Sequence, residues 1–379
     1  MNASGYGVLD IKNRFGASFK KCNLSTEERL KLIKSVAPAC ITEADLEKLL
    51  TREEFPIAYD GFEPSGRMHI AQGLLKAIKV KRITDAGCVF VFWIADCFAD
   101  LNEKMSGDIN KIHTVAKYFQ HVWRALGLDE SNIVYLYASE EIARHGGEYV
   151  DLLITLSKMN TIGNIKRCTT IMGRTSGDDQ KSSQILYPLM QAADIFYIGA
   201  NICQLGNDQH PVNMLAREYA KKKGINKYGK KIYAPVILEH EMLPGLLEGQ
   251  TKMSKSNPDS SIFMDDTEKE IQSKLKKAYC PVGIVENNPI VAYVRMIVFE
   301  TQEVFTIERP EKYGGNLEFK SFQEFETAYK NEEVHPCDVK SALCTVINQL
   351  INPVREYFAN NAEAMDLLNQ IKNFQKQKK

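Results

Sequence analysis

Cys88-Val89-Phe90-Val91-Phe92-Trp93-Ile94-Ala95 is apolar at every position. A strand with one face in water alternates apolar and polar residues. This run does not, so it reads as a strand covered on both faces, the usual condition of a parallel sheet. Its neighbours follow the same grammar. Upstream, Pro56-Ile57-Ala58-Tyr59 is a short apolar strand closed by Asp60-Gly61, and a helix with Ile70, Leu74, Ala77 and Ile78 on one face follows. Downstream, a helix from about Asp108 to Leu126 leads to the strand Ile133-Val134-Tyr135-Leu136-Tyr137. Strand and helix in alternation predict an α/β domain with a doubly wound parallel sheet.

The alternation breaks over residues 141–180, which read as helices and a polar loop, Arg174-Thr175-Ser176-Gly177-Asp178-Asp179. It resumes after residue 181. There the pattern predicts a helix through Gln191, a strand-like Ile195–Ile198 and a strand at Cys203–Leu205. A helix opened by Pro211 and a last strand over Ile232–Leu238 follow. Ahead of the sheet, Ser25-Thr26-Glu27-Glu28 is a helix-capping signal, and a second short helix follows Thr42. From residue 266 the chain reads as helical. Thr267-Glu268-Lys269-Glu270 is another capping box, and 337–379 reads as two amphipathic helices ending in Lys376, Lys378 and Lys379. The expected domains are an N-terminal helical extension at 1–50, the α/β domain at 51–260 and an all-helical domain at 261–379.

Bulk properties narrow the function classes. Lys+Arg and Asp+Glu both number 48, so zero net charge neither demands nor excludes a nucleic-acid partner. Nine cysteines form no CxxC pair, and seven histidines show no metal-ligand spacing. The expectation is reduced thiols in a cytoplasmic protein with no metal site. No apolar stretch approaches the ~20 residues that span a membrane. Residues 1–21, with Lys12, Arg14, Lys20 and Lys21 against Asp10, read as a cytosolic extension with a faint likeness to a transit peptide.

Two constellations carry chemistry. Gly61-Phe62-Glu63-Pro64-Ser65-Gly66-Arg67-Met68-His69-Ile70-Ala71-Gln72-Gly73 joins the first strand to its helix. Ligands of open α/β sheets bind there, at strand carboxyl ends and helix N-termini. Gly61 and Gly66 let backbone approach a ligand. His69 shares a helical face with Gly73 and could hydrogen-bond to a phosphate, and small Ala71 and Gly73 would admit a flat adenine ring. A lone histidine in such a place is more often a structural cap. The second constellation is Lys252-Met253-Ser254-Lys255-Ser256, after Gly249 and before Asn257-Pro258. Two lysines among small hydroxyl residues suit a loop that follows phosphates, although a generic Lys-Ser stretch is a solvated loop.

Together, His69-Ile70-Ala71-Gln72 and Lys252-Met253-Ser254-Lys255-Ser256 resemble the paired HIGH and KMSKS signatures of class I aminoacyl-tRNA synthetases. The wording around His69, with Tyr187-Pro188-Leu189-Met190-Gln191-Ala192-Ala193-Asp194, resembles the eukaryotic tyrosyl-tRNA synthetases more narrowly, from about Pro56 to Pro281. Ala71 and Gln72 depart from the HIGH consensus, and Gln72 cannot be a cation. The resemblance implies a Rossmann-like catalytic domain with a connective insertion at 141–180, and a C-terminal anticodon-binding domain. It gives catalytic roles to His69, Lys252 and Lys255, the lysines holding the departing pyrophosphate. Gly61, Phe62, His69, Ala71, Gly73, Gly206, Asp208 and Met253 would bind ATP or the adenylate.

The same resemblance places Tyr59 and Asp194 at the hydroxyl of tyrosine, and Tyr187, Gln191 and Gln209 at its backbone. Tyr187, Gln191 and Asp194 fall at i, i+4 and i+7, one helical stripe, which without the other motifs could equally be a polar face in solvent. Gln204-Leu205-Gly206-Asn207-Asp208-Gln209 precedes the Pro211 helix, so Asp208 could also be a helix cap. The implied partners are tyrosine, ATP with Mg2+, tRNA(Tyr) and a second copy of the chain, with no tightly bound cofactor and no membrane. The segment 150–180, with Lys158, Lys166, Arg167 and Arg174, would supply the dimer interface and acceptor-stem contacts. Lys274, Lys276 and Lys277 would lie on a helix of the anticodon domain. Some eukaryotic relatives carry a further C-terminal domain, and none is expected before Lys379. Tryptophanyl-tRNA synthetase is the nearest alternative. A small-molecule adenylyltransferase leaves the C-terminal helices unexplained, and an inactive RNA-binding relative leaves the two lysines and His69 unexplained.

Overall fold

The structure is a computed structural model that describes residues 9–16, 19–172, 179–226, 229–251, 253 and 257–376. They fall into two compact units. The first comprises residues 1–65, 80–116 and 129–241, and the second 66–79, 117–128 and 242–379.

The first unit is built on six strands, β1 (Ala39–Ile41), β2 (Ile57–Phe62), β3 (Val89–Ile94), β4 (Ile133–Tyr137), β5 (Ile202–Gly206) and β6 (Val236–His240). Their spatial order is β1-β6-β5-β2-β3-β4. All neighbours are parallel except β1, which runs antiparallel to β6 at the edge. The chain winds outward from β2 through β3 to β4, then returns to lay β5 on the other side of β2. The direction of winding therefore reverses between β2 and β5, and a crevice opens at such a point beyond the strand carboxyl ends. All six residues of β3 are buried, as the unbroken apolar run predicts. Odd-numbered residues Tyr59, Val91 and Trp93 share one face and one core cluster with Leu152 and Leu156 of the helix Gly146–Met159 and with Ala192, Ala193 and Ile195 of the helix Ser182–Ile198.

The predicted strand at Ile195–Ile198 is instead the last turn of the helix Ser182–Ile198, which closes on Gly199 at φ 74°. Every residue of this helix from Gln191 to Ile198 is buried, and a last turn that is apolar on all sides looks like a buried strand over four residues. The last strand is shorter than expected and begins at Val236. β1 was not anticipated. The break over 141–180 holds as the helices Ala138–Arg144, Gly146–Met159 and Ile162–Cys168, while Arg174, Thr175, Ser176, Gly177 and Asp178 lie outside the described residues.

The second unit is mainly helical, with Glu268–Lys277, Pro289–Tyr293, Phe322–Lys330, Pro336–Asn360 and Ala362–Lys376. Ser25 with Glu28 and Thr267 with Glu270 form capping boxes at the expected places. One departure is the antiparallel pair β7 (Phe305–Ile307) and β8 (Leu317–Phe319). Phe305 and Phe319 pack their rings on Phe325 at centroid distances of 5.7 and 5.6 Å, so three phenylalanines hold the pair to the helix Phe322–Lys330. Lys274 lies on the expected helix but does not face solvent with Lys276 and Lys277. It is buried, and its Nζ donates to Ser261 O at 2.9 Å and Asp266 Oδ2 at 2.5 Å. No described helix is long and apolar enough to cross a membrane.

Candidate functional site

In the first unit, the stripe Tyr187, Gln191, Asp194 is turned into the protein, not into solvent. Tyr187 and Gln191 are each 9% exposed and Asp194 is 2% exposed. Asp194 Oδ1 accepts a hydrogen bond from Tyr149 Oη at 2.7 Å, and Oδ2 accepts from Trp93 Nε1 at 2.9 Å. Two donors on a buried carboxylate hold it in a fixed orientation and favour its ionised form. Burial acts the other way and prevails, pushing the Asp194 carboxyl up to about 8. Tyr59 is 1% exposed and points from β2 to the same face of the sheet. Burial, with the nearby Cys203 and Asp194, raises its phenol well above the ordinary value.

One helical turn before Gln191, Tyr187 Oη donates to Glu63 Oε1 at 2.5 Å. Glu63 stands just past β2 and also accepts from Asn102 Nδ2 at 2.6 Å. Phe98 meets the Tyr187 ring edge-on at 4.9 Å. Gln191 Nε2 donates to Gln209 Oε1 at 3.0 Å, so the stripe and the segment after β5 converge as expected. Asp208 is half-buried in the short turn Asn207–Gln209. It does not cap the helix His210–Lys223, whose N-cap is Gln209 and whose cap makes no side-chain hydrogen bond. The structural explanation for an aspartate there is therefore not the one realised. Gly206 ends β5 and Gly61 is exposed in β2, each at a strand end beside the winding reversal. Phe62 is buried and tilts against Phe92 at 5.6 Å.

The second unit carries the other constellation. His69 is half-buried and bridges to Phe263. Ile70 N donates to Ile262 O at 2.8 Å, and Met264 N donates to Met68 O at 2.9 Å. These bonds pin 68–70 to 262–264. Gly73 N closes onto His69 O at 3.0 Å, and Ala71–Leu75 is a wide π turn. Ala71 is half-buried. A Cβ on Gly73 would stand 2.5 Å from Met264 Cγ. The glycine is needed for close packing. Arg67 donates to Asp265 and Asp266, the latter also held by Lys274, and this network fixes the 262–266 segment from below. Met253 is half-buried, whereas Lys252, Ser254, Lys255 and Ser256 lie outside the described residues. Among the described residues, no group of His, Cys, Asp and Glu could hold a metal ion.

The sequence pattern singles out Tyr59, Tyr187, Gln191, Asp194 and Gln209 but not the hydrogen-bond partners Glu63, Trp93 and Tyr149. Trp93 had a usable signal. An indole N–H inside an otherwise apolar strand needs an acceptor, and a buried carboxylate is the obvious one.

Comparisons with known proteins agree with one another. The family described as "tRNA synthetases class I (W and Y)" matches residues 51–352. The chain is 48% identical over 348 residues to the cytoplasmic tyrosine–tRNA ligase 1 of Arabidopsis thaliana, covering 92% of this chain and 89% of the plant protein. It is similar to the Leishmania major tyrosyl-tRNA synthetase solved with tyrosinol, at 43% identity and a TM-score of 0.85. That match covers 93% of this chain, but the chain spans only 53% of the Leishmania chain. The Pyrococcus horikoshii tyrosyl-tRNA synthetase solved with L-tyrosine matches at 32% identity and a TM-score of 0.84, covering 92% of this chain and all of that one.

Proposed function

Because the chain belongs to the class I tRNA synthetases, on the tyrosyl branch, we propose that it activates L-tyrosine with ATP and transfers it to tRNA(Tyr). The tyrosine carboxylate attacks the α-phosphorus of ATP. A carboxylate–phosphorus bond forms, the bond to the β-phosphate oxygen breaks, and pyrophosphate leaves. The terminal ribose of the tRNA then takes the tyrosyl group and releases AMP. The attacking carboxylate is already ionised, so the first step needs no general base. Positioning and charge stabilisation carry it. Mg2+ enters on the ATP phosphates as part of the substrate.

The observation that carries this reading is the buried Asp194, held by Trp93 and Tyr149. It is a fixed acceptor for the phenolic O–H, with Tyr59 as the second hydroxyl partner. A substrate lacking that hydroxyl would leave buried polar groups unpaired, the established basis on which tyrosine-specific synthetases reject phenylalanine. Tyr187, Gln191 and Gln209 receive the substrate backbone, with Glu63 as the carboxylate for its ammonium group. Gly206 and Asp208 take the ribose. Gly61, Phe62 and Met253 line the adenylate path. His69, with Ala71 beside it, serves the ATP phosphates, and Lys252 and Lys255 hold the departing pyrophosphate.

Residues 261–379 bind the anticodon in this proposal, with Lys276 and Lys277 exposed on the helix Glu268–Lys277. The chain works as a homodimer through the exposed Val150, Ile154, Ile162 and Leu186, with Lys158, Lys166 and Arg167 near the acceptor stem. The proposed location is the cytoplasm, which the name of the Arabidopsis relative supports. ATP–pyrophosphate exchange with tyrosine, tryptophan or phenylalanine, followed by transfer to tRNA(Tyr), tests the reading. Exchange with tyrosine alone is expected, and exchange driven by tryptophan would overturn it.

A further inference from the structure

The N-terminal segment, expected as a mere extension, is built into the first unit. Leu9 and Ile11 are 5% and 1% exposed and belong to the core cluster that also holds Tyr59, Trp93 and Tyr149. Leu9 N donates to Tyr197 O at 3.1 Å, at the carboxyl end of the helix that bears Asp194. Arg14 Nη1 donates to both carboxylate oxygens of Glu141 at 2.8 Å. Glu141 is 1% exposed, and its remaining cation is Arg144 at 2.9 Å. Tyr197 Oη donates to Glu141 O at 2.7 Å. The Tyr197 ring then meets Tyr149 edge-on at 5.4 Å and Trp93 at 6.1 Å. Those two side chains are the ones that hold Asp194. An unbroken set of contacts therefore runs from Leu9 and Arg14 through Glu141 and Tyr197 to both donors on Asp194.

We propose that Leu9, Ile11 and Arg14 form a strap that positions the phenol-recognising carboxylate, so that Arg14 acts on tyrosine selection without touching substrate. A buried carboxylate that loses one of two cations seeks another donor or moves toward water. Either response pulls on the helix turn that carries Glu141, whose backbone carbonyl holds Tyr197 Oη, and so reaches the stack on Tyr149 and Trp93. A merely structural strap would lower the melting temperature and leave the substrate preference alone. A positioning strap changes the preference in protein that is still folded.

The inference rests on Asp194 being the acceptor for the tyrosine hydroxyl. The experiment is steady-state ATP–pyrophosphate exchange by the full chain, with wild type, Arg14→Ala, Arg14→Lys and the double variant Arg14→Ala/Glu141→Gln. The double variant leaves no uncompensated buried charge and so serves if the single variant does not fold. The expected result is a rise in KM for tyrosine of about 2- to 30-fold in Arg14→Ala, the range found for substitutions along coupled contacts. The preference for tyrosine over phenylalanine falls with it, KM for ATP is unchanged, and Arg14→Lys recovers part of the loss. Unchanged tyrosine KM and unchanged preference in folded Arg14→Ala overturn the strap's role, as they do in the double variant, which lacks the Arg14 tether, if Arg14→Ala does not fold. Wild type without tyrosine-dependent exchange would instead overturn the reading of the site itself.

Discussion

Asp194 combines two opposing influences in one side chain. Tyr149 and Trp93 donate to it and favour its charge, yet full burial disfavours that charge and prevails. The consequence for stability has a definite sign. The carboxyl titrates at about 8 in the folded protein against an ordinary 3.8. Between those values the folded chain holds a proton that the unfolded chain has released, so stability falls as pH rises, and it levels off above about pH 8. Asp194→Asn removes this titration. Its melting temperature relative to wild type is therefore expected to climb from pH 4 to pH 8 and then stay flat. Thermal unfolding of both proteins across that range checks it, and a constant difference would show that Asp194 does not titrate there. The same substitution should destroy the preference for tyrosine over phenylalanine in the exchange assay. A gain in stability with a loss of selectivity is the usual mark of a residue kept for function.

At the level of elements, the segment that carries His69 is held by backbone pairing to 262–264 and by the absence of a side chain at Gly73. The Gly73→Ala methyl group would stand 2.5 Å from Met264 Cγ and 2.6 Å from Met264 Sδ. Overpacking of this kind costs ~1–3 kcal/mol when neighbours must move. Gly73→Ala is expected to lose that much in urea unfolding and to lose exchange activity as His69 shifts. Gly73→Ala/Met264→Ala should recover most of the activity, because the neighbour that blocks the methyl group has been trimmed. Failure of that double variant to recover would mean that the backbone at 73, not its packing, is what matters. Elements whose cause is local were legible in the sequence. β3 follows from an unbroken apolar run, and two helix starts follow from Ser25 with Glu28 and Thr267 with Glu270. Elements whose cause is tertiary were not. Ile195–Ile198 is the last turn of a helix whose residues from Gln191 onward are all buried, so its period is hidden. β1 exists because β6 offers it an edge, and β7 and β8 because Phe325 packs on Phe305 and Phe319. The site divides in the same way. Tyr187, Gln191 and Asp194 share one stripe and could be read together. Glu63 and Tyr149 reach them from 124 and 45 residues away in the chain, a pairing that no local pattern records.

For the whole molecule, the distribution of exposed apolar residues leads to a prediction about assembly. Val150 and Ile154 are 51% and 53% exposed and lie four apart on one helix, Gly146–Met159. Ile162 is 71% exposed at the start of the next helix, and Leu186 is 46% exposed on the helix that carries the stripe. Scattered single apolar residues on a surface need no explanation, but four on the three α-helices Gly146–Met159, Ile162–Cys168 and Ser182–Ile198 are the kind of surface that marks an interface. A two-fold dimer presents the same patch twice, so one substitution is felt twice. Wild type is expected at twice 42.9 kDa by light scattering after size-exclusion chromatography, and Ile154→Asp at 42.9 kDa. The opposite face of the same helix bears on function. Tyr149 and Leu152 are buried there, and Tyr149 holds Asp194. In the proposed dimer this helix would meet the partner on one face and carry a donor to Asp194 on the other, which would tie assembly to substrate recognition. The monomeric Ile154→Asp is therefore expected to show a raised KM for tyrosine at low protein concentration, in addition to its changed mass. A monomer with wild-type tyrosine KM would confine the patch to assembly, and a wild type already at 42.9 kDa would remove it from assembly altogether.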